Sequence, residues 1–223
     1  MRKLSEHKFG EDDQSDQFSI TIIEVMQEDY GMFVWPCSIV LAEYVWQQRA
    51  RFSGATVVEV TTFALLQLSA SGPNLHIFWL HPPTIFLLLV KQLGAGTSLP
   101  GLAAAKLGSE VILTDNAEEE QVVGLTWGEW DTQLFELRPQ IILGADVLYE
   151  SNVAFLLHNS PGSVFITTYD NRSGHHLIEY LMVKWGLKCV KILDAYSFMP
   201  ASKSSSIHGS IELVEIKTEG TVS

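Results

Sequence analysis

Positive charge is scarce in this chain, cysteine is nearly absent, and no stretch stays apolar long enough to cross a bilayer. Lys and Arg number 14 against 26 Asp and Glu, a formal net charge of −12 over 223 residues. Surfaces that bind nucleic acid are basic as a rule, so this balance excludes broad contact with a phosphate backbone and predicts no nucleic-acid partner. It is compatible with a basic protein substrate. Two cysteines, Cys37 and Cys189, build no disulfide framework, which predicts a reducing compartment, cytoplasm or nucleus. Behind Met1-Arg-Lys there is no hydrophobic signal core. The most apolar stretch, residues 75–90, is broken by His76, His81, Pro82 and Pro83. It falls short of the roughly 20 clean residues of a membrane span, so no membrane partner is expected. His175-His176 have no partners at ligand spacing, and no metal is expected.

What remains is 47% hydrophobic and 18% charged, the balance of a globular protein at the apolar end of normal. Residues 1–17 are polar and acidic and read as a flexible tail. Residues 18–223 read as one domain. Its short apolar runs have strand length: Phe18–Val25, Thr56-Val-Val-Glu59, Glu110-Val-Ile-Leu-Thr114, 122–125, Ile141–Ala145, 164–168, 188–193 and 211–217. Helices are expected from Pro36 to about Arg49, over 99–107 and over 173–185, with 200–206 a small-residue loop. Trp35 precedes a proline and so is extended, and Pro36 can open the first helix. Strands alternating with helices predict an α/β fold with a mainly parallel sheet, its functional groups clustered at the carboxyl ends of the strands.

The chain is organised around Leu93-Gly94-Ala95-Gly96-Thr97-Ser98-Leu99-Pro100-Gly101. Two glycines at G-x-G spacing let the backbone turn tightly and bring its N–H groups close to a ligand. Asp115 lies at the tip of the next strand, about 20 residues further on, the spacing at which a carboxylate holds a ribose diol. A dinucleotide fingerprint has a third glycine three residues after the second, where its helix meets a pyrophosphate; here that residue is Leu99. The loop therefore suits a small zwitterion beside a ribose, the groups that S-adenosylmethionine (SAM) presents.

The ordered set Val34-Trp35-Pro36, Leu93 to Gly101, Val111-Ile-Leu-Thr-Asp115, Gly124-Leu-Thr-Trp127-Gly128 and Ala145-Asp146-Val-Leu-Tyr149 resembles methyltransferase family 16. The resemblance covers most of the chain. It implies a Rossmann-like class I methyltransferase sheet, with an antiparallel strand near the C-terminus, that uses SAM to methylate a side-chain nitrogen of a protein substrate. On that resemblance Trp35 flanks the cofactor, Gly94, Ala95 and Gly96 face its methionine part, and Glu59 is the acid beside the loop. Asp115 would hold the ribose hydroxyls, Trp127 the adenine, and Ala145 a wall. Asp146 and Tyr149 match the acid-x-x-Tyr motif on the substrate side, the catalytic pair. An acid and a phenol beside the methyl group can orient a nitrogen nucleophile and stabilise the charge it gains. Small-molecule and nucleic-acid amine methyltransferases often carry Asn/Asp-Pro-Pro-aromatic there instead. Tyr169 and Arg172, just past another strand end, are further candidates for substrate contact. Plainer readings stand beside these: Trp35 and Trp127 as core aromatics, Asp146 as a helix cap, Tyr149 on a helix surface, and Tyr169 and Arg172 as solvated loop residues, the reading favoured for that pair.

Two departures from the family pattern stand out. Residues 60–92 separate Glu59 from Leu93, where the family runs its first strand straight into the glycine loop. Either Thr56–Glu59 remains the central strand, or 85–90 replaces it and Gln92 offers an amide in place of the carboxylate. Between Asp115 and the run at 122–125, residues 116–121 are too few for a parallel crossover, which needs about a dozen. The insert has intron-like borders, since valine codons begin with GT and a CAG codon for Gln92 ends in AG. The alternative function is accordingly a catalytically impaired splice isoform or gene model that acts at most as an interaction module.

Overall fold

The structure is a computed structural model that describes residues 2–10, 17–25, 34–60, 98–114, 136–147, 151–171, 180, 182–205 and 207–220. Its centre is a six-stranded sheet of β3 (Thr56–Val60), β4 (Glu110–Thr114), β5 (Ile141–Ala145), β6 (Val164–Asp170), β7 (Leu187–Asp194) and β8 (Ile211–Thr218), in the order β4-β3-β5-β6-β8-β7. The first four strands are parallel and in step: Val57 lies level with Val111 on one side and Ile141 on the other, and Ile141 with Val164. β8 runs antiparallel to both β6 and β7. This is the mainly parallel Rossmann-like sheet with an antiparallel C-terminal strand that the sequence predicts. Thr56–Val60 is the central strand, which decides between the two readings in favour of Glu59; residues 85–90 lie outside the described residues, as do 116–121 and 122–125.

Parallel strands buried on both faces read as continuous apolar runs, and alternation sends successive side chains to opposite layers. Val57, Ile141, Leu143, Val164 and Ile166 meet Leu41, Val45, Leu99, Ala103 and Ala104 of α1 (Pro36–Gln47) and α3 (Leu99–Lys106). Val58, Val60, Ile142 and Phe165 meet Val153, Leu156 and Leu157 of α4 (Ser151–Asn159) on the other face. α1 starts where the sequence predicts, behind an extended Trp35 (φ −71°, ψ 148°) with Pro36 in its first turn. A short α2 (Arg49–Phe52) follows it. Small residues in α3 let it sit close to β3 and β4.

Two polar links tie the layers together. Glu215 of β8 is buried and accepts from Tyr44 Oη at 2.5 Å, Arg51 Nη1 at 2.8 Å and Arg51 Nη2 at 3.1 Å, while Lys191 Nζ donates to Tyr44 Oη at 2.8 Å. Burial alone would raise the Glu215 carboxyl, but hydrogen bonds from Arg51 and Tyr44 hold it below the usual carboxylate range. Lys203, on α5 (Ala201–Ser204), donates to the buried Glu43 of α1 at 2.6 Å. The 200–206 stretch, read from its small residues as a loop, thus contains a helical turn held down by Lys203.

The expectation of a loose tail over residues 1–17 is corrected for its first half. β1 (Arg2–Phe9) pairs antiparallel with β2 (Phe18–Val25), from Arg2 opposite Val25 to Phe9 opposite Phe18. The ribbon needs little apolar surface of its own because one end is anchored. Phe9 packs on Phe18 at 5.1 Å between ring centroids, and Phe18 meets Trp46 edge-on at 5.4 Å. Lys203 Nζ lies 4.5 Å over the Phe9 ring and donates to the carbonyl of Lys8. Polar composition hid a strand whose burial comes from residues far along the chain.

Because Glu215 titrates below the normal range, its contribution is present above that range and is lost as pH falls. Replacing Arg51 with Met leaves the buried carboxylate without its two guanidinium bonds. Arg51→Met is expected to cost about 2 kcal/mol in urea unfolding at neutral pH and to move the acid-unfolding midpoint toward neutrality. An unchanged midpoint would show that the pair contributes nothing.

Candidate functional site

Chain order reverses at β3. From β3 the chain returns through α3 to β4 on one side, while β5 lies against the other. Ligands of open α/β sheets bind outside the carboxyl ends of the strands at such a switch point. Glu59, Val60, Ala145 and Thr168 stand at that edge, with the first turns of α1 and α3 beside them.

Glu59 shares its face of β3 with Val57, toward α3, and is fully buried. Its Oε2 accepts the Gly101 N–H at 2.9 Å. That donor belongs to the first turn of α3, where N–H groups have no partner inside the helix. The residue before the helix, Ser98, has a left-handed backbone (φ 43°) and makes no side-chain cap, and Pro100 has no N–H to satisfy. Glu59 therefore caps α3 from a neighbouring strand. The fit requires glycine: a Cβ on Gly101 would lie 2.3 Å from Glu59 Oε2 and 2.7 Å from Leu113 Cδ2. Burial pushes the Glu59 carboxyl up to about 8, with the Gly101 N–H pulling the other way. At neutral pH this burial favours the protonated acid, and a cation brought close would favour the anion.

At the end of β5 the chain turns sharply. Asp146 has φ 61°, a left-handed conformation that Asp tolerates better than most residues. Its N–H donates to the Thr168 carbonyl at 2.7 Å. Gly144 makes room for the turn, since a Cβ there would lie 2.2 Å from Val147 Cγ2. Thr168 is buried, and its hydroxyl donates to the Cys37 carbonyl at 2.8 Å, two residues after Trp35. Ala145 packs beside a cluster of Cys37, Val40, Ala195, Met199, Ile207 and Ile211. The β7–β8 connection thereby walls the same edge.

Of the residues singled out from sequence, Trp35, Glu59, Ala145 and Asp146 come to this edge. Gly94, Ala95, Gly96, Asp115, Trp127 and Tyr149 lie outside the described residues, as does Arg172. Tyr169 is no solvated loop residue: it is buried in β6, and its hydroxyl donates to Glu212 Oε2 at 2.5 Å. Burial and that carboxylate push its phenol well above the usual range. Thr168 was missed, and the only signal for it was a Thr-Thr pair inside the apolar run Val164-Phe-Ile-Thr-Thr-Tyr169.

A profile of the family described as lysine methyltransferase matches residues 14–124. The chain is 36% identical over 210 residues to the histone-arginine methyltransferase METTL23 of Xenopus laevis, covering 82% of this chain and 75% of that protein. It is 34% identical over 200 residues to the Mus musculus protein of the same name, covering 78% and 66%. The Homo sapiens protein is 34% identical over 188 residues, covering 72% and 82%. A TehB-like SAM-dependent methyltransferase from Corynebacterium glutamicum superposes with a TM-score of 0.45 at 14% identity, covering 85% of this chain and 90% of that one.

Since the folded Glu59 carboxyl titrates higher than the unfolded one, the folded state holds a proton that the unfolded state has lost between the two values. Its contribution is full below the ordinary carboxylate range and falls as pH rises to about 8. Wild-type stability relative to Glu59→Gln is expected to fall by about 1 kcal/mol per pH unit across that window in chemical unfolding. Parallel curves for the two proteins would contradict the burial argument. Gly101→Ala is expected to destabilise by about 2 kcal/mol through the overpacked contact, measured in the same way.

Proposed function

This chain belongs to methyltransferase family 16, and we propose that it transfers a methyl group from SAM to a side-chain nitrogen of a basic protein, with arginine in a histone as the acceptor. The single observation that carries the reading is Glu59 on the first turn of α3 at the switch point of the sheet. That contact supports an intact cofactor crevice in a chain that departs from the family pattern over residues 60–92. The acceptor is proposed on the names of the similar METTL23 proteins and on the chain's net charge of −12, which favours approach of a cationic partner. A histone substrate makes the nucleus the proposed place of action. Among the described residues no helix is long and apolar enough to cross a membrane. The alternative of an impaired interaction module is not favoured, because the family's central strand and its acid are retained.

A buried acid beside a helix N-terminus suits an ammonium group. On the family resemblance Glu59 is the acid nearest the cofactor's amine, Gly94, Ala95 and Gly96 its methionine cradle, Asp115 the ribose ligand, Trp127 the adenine contact, and Trp35 and Ala145 flanking walls. When bound, the cofactor supplies a methyl carbon activated by a sulfonium. The protein's task is then alignment, which accounts for most of the acceleration in such a displacement. Asp146 orients the attacking nitrogen and offsets the positive charge it gains, and Tyr149 adds a hydroxyl on the same side.

The test is calorimetric titration of the full chain with S-adenosylhomocysteine, followed by transfer of tritiated methyl from SAM to core histones. Micromolar binding and label on arginine are expected. Asp146→Asn should bind S-adenosylhomocysteine normally and lower kcat about 100-fold. Binding only after deletion of residues 60–92 would contradict the claim that the crevice is intact in this chain. Label on lysine would correct the acceptor.

A further inference from the structure

Two groups of the proposed site come from distant parts of the sequence: Asp146 after β5, and the Trp35-Pro36-Cys37 start of α1. Both are held by Thr168. Its carbonyl accepts the Asp146 N–H at 2.7 Å, and its hydroxyl donates to the Cys37 carbonyl at 2.8 Å. Thr168 of β6 lies opposite Ala145 in β5 and opposite Leu213 in β8, so neighbours on both sides fix its own backbone. It is fully buried, as is Thr167 before it. A hydroxyl in such a place has few acceptors, and this one spends its hydrogen on the first turn of a helix rather than on its own strand.

We propose that Thr168 is a positioning residue for methyl transfer, setting the left-handed turn at Asp146 and the start of α1 in one register across the crevice. This rests on the functional reading above, in which Asp146 meets the attacking nitrogen and Trp35 flanks the cofactor. The left-handed backbone at Asp146 is uncommon for a non-glycine residue, though Asp bears it better than most, and hydrogen bonding to its surroundings holds it there. The 2.7 Å bond to Thr168 is one such restraint. The hydroxyl bond extends the same restraint to α1, so a shift of the helix start relative to β5 requires breaking it. Positioning errors of about 1 Å are costly in displacement reactions.

Two substitutions separate the hydroxyl from the packing. Thr168→Val keeps the branched shape and deletes the donor, while Thr168→Ser keeps the donor and deletes the methyl. With core histones and SAM, Thr168→Val is expected to lower kcat about tenfold, with KM for SAM and affinity for S-adenosylhomocysteine changed less than about threefold. Thr168→Ser should restore kcat to within about twofold. Hydrogen exchange gives a readout independent of activity: amides over residues 37–41 should exchange faster in Thr168→Val and as in wild type in Thr168→Ser. Wild-type kcat in Thr168→Val, equal impairment of both variants, or unchanged exchange over 37–41 would overturn the proposal. Absence of transfer by the wild-type chain overturns the functional reading as well, and so is distinguished from an active wild type whose Thr168→Val variant is unimpaired.

Discussion

Everything at the carboxyl edge of the sheet depends on one buried contact, the Glu59 carboxyl against the Gly101 N–H. It joins the central strand to the start of α3, 42 residues apart in sequence. A capping group normally sits just before its helix. Here that position is Ser98, left-handed and without a side-chain cap, and the partner arrives from the strand instead. The distance is short because Gly101 has no Cβ, and the carboxyl is buried because α3 covers it. The same burial that seats the helix also raises the acid's pKa, so structure and chemistry at this point are one constraint.

The far side of the molecule has the opposite electrostatic arrangement. Glu215 is buried among Arg51, Tyr44 and Lys191 and is held as an anion. It fastens α1 and α2 to the antiparallel pair β7–β8. Lys203 carries the fastening outward, from Glu43 on α1 to the β1–β2 ribbon. α1 is thus gripped along its length by polar links and at its first turn by Thr168. A helix that flanks the proposed cofactor is anchored at several points, as methyl transfer by alignment demands.

How much of this was legible follows from the range of the interactions. Local signals read well: alternation gave β2 over the residues observed, and the Trp35-Pro36 pair marked the start of α1. The apolar runs of β5 and β6 marked the parallel core. Glu59 was legible through its motif, although its tie to Gly101, 42 residues away in sequence, was not. β1 was misread because its anchor, Phe9 on Phe18 and Trp46 under Lys203, is assembled from four separate segments. Thr168 and the left-handed turn at Asp146 left no trace in composition or period. A buried threonine in a strand looks the same whether it caps a neighbour or merely packs.

A chain that keeps its cofactor crevice at the carboxyl ends of β3 and β5 must bind S-adenosylhomocysteine there. Amide hydrogen exchange of the full chain with and without that ligand reads the binding out. Slowed exchange is expected in segments covering 55–60, 98–104 and 141–147, the strand ends and the helix start beside the proposed crevice. Slowed exchange confined to other segments, or none at all at saturating ligand, would contradict it.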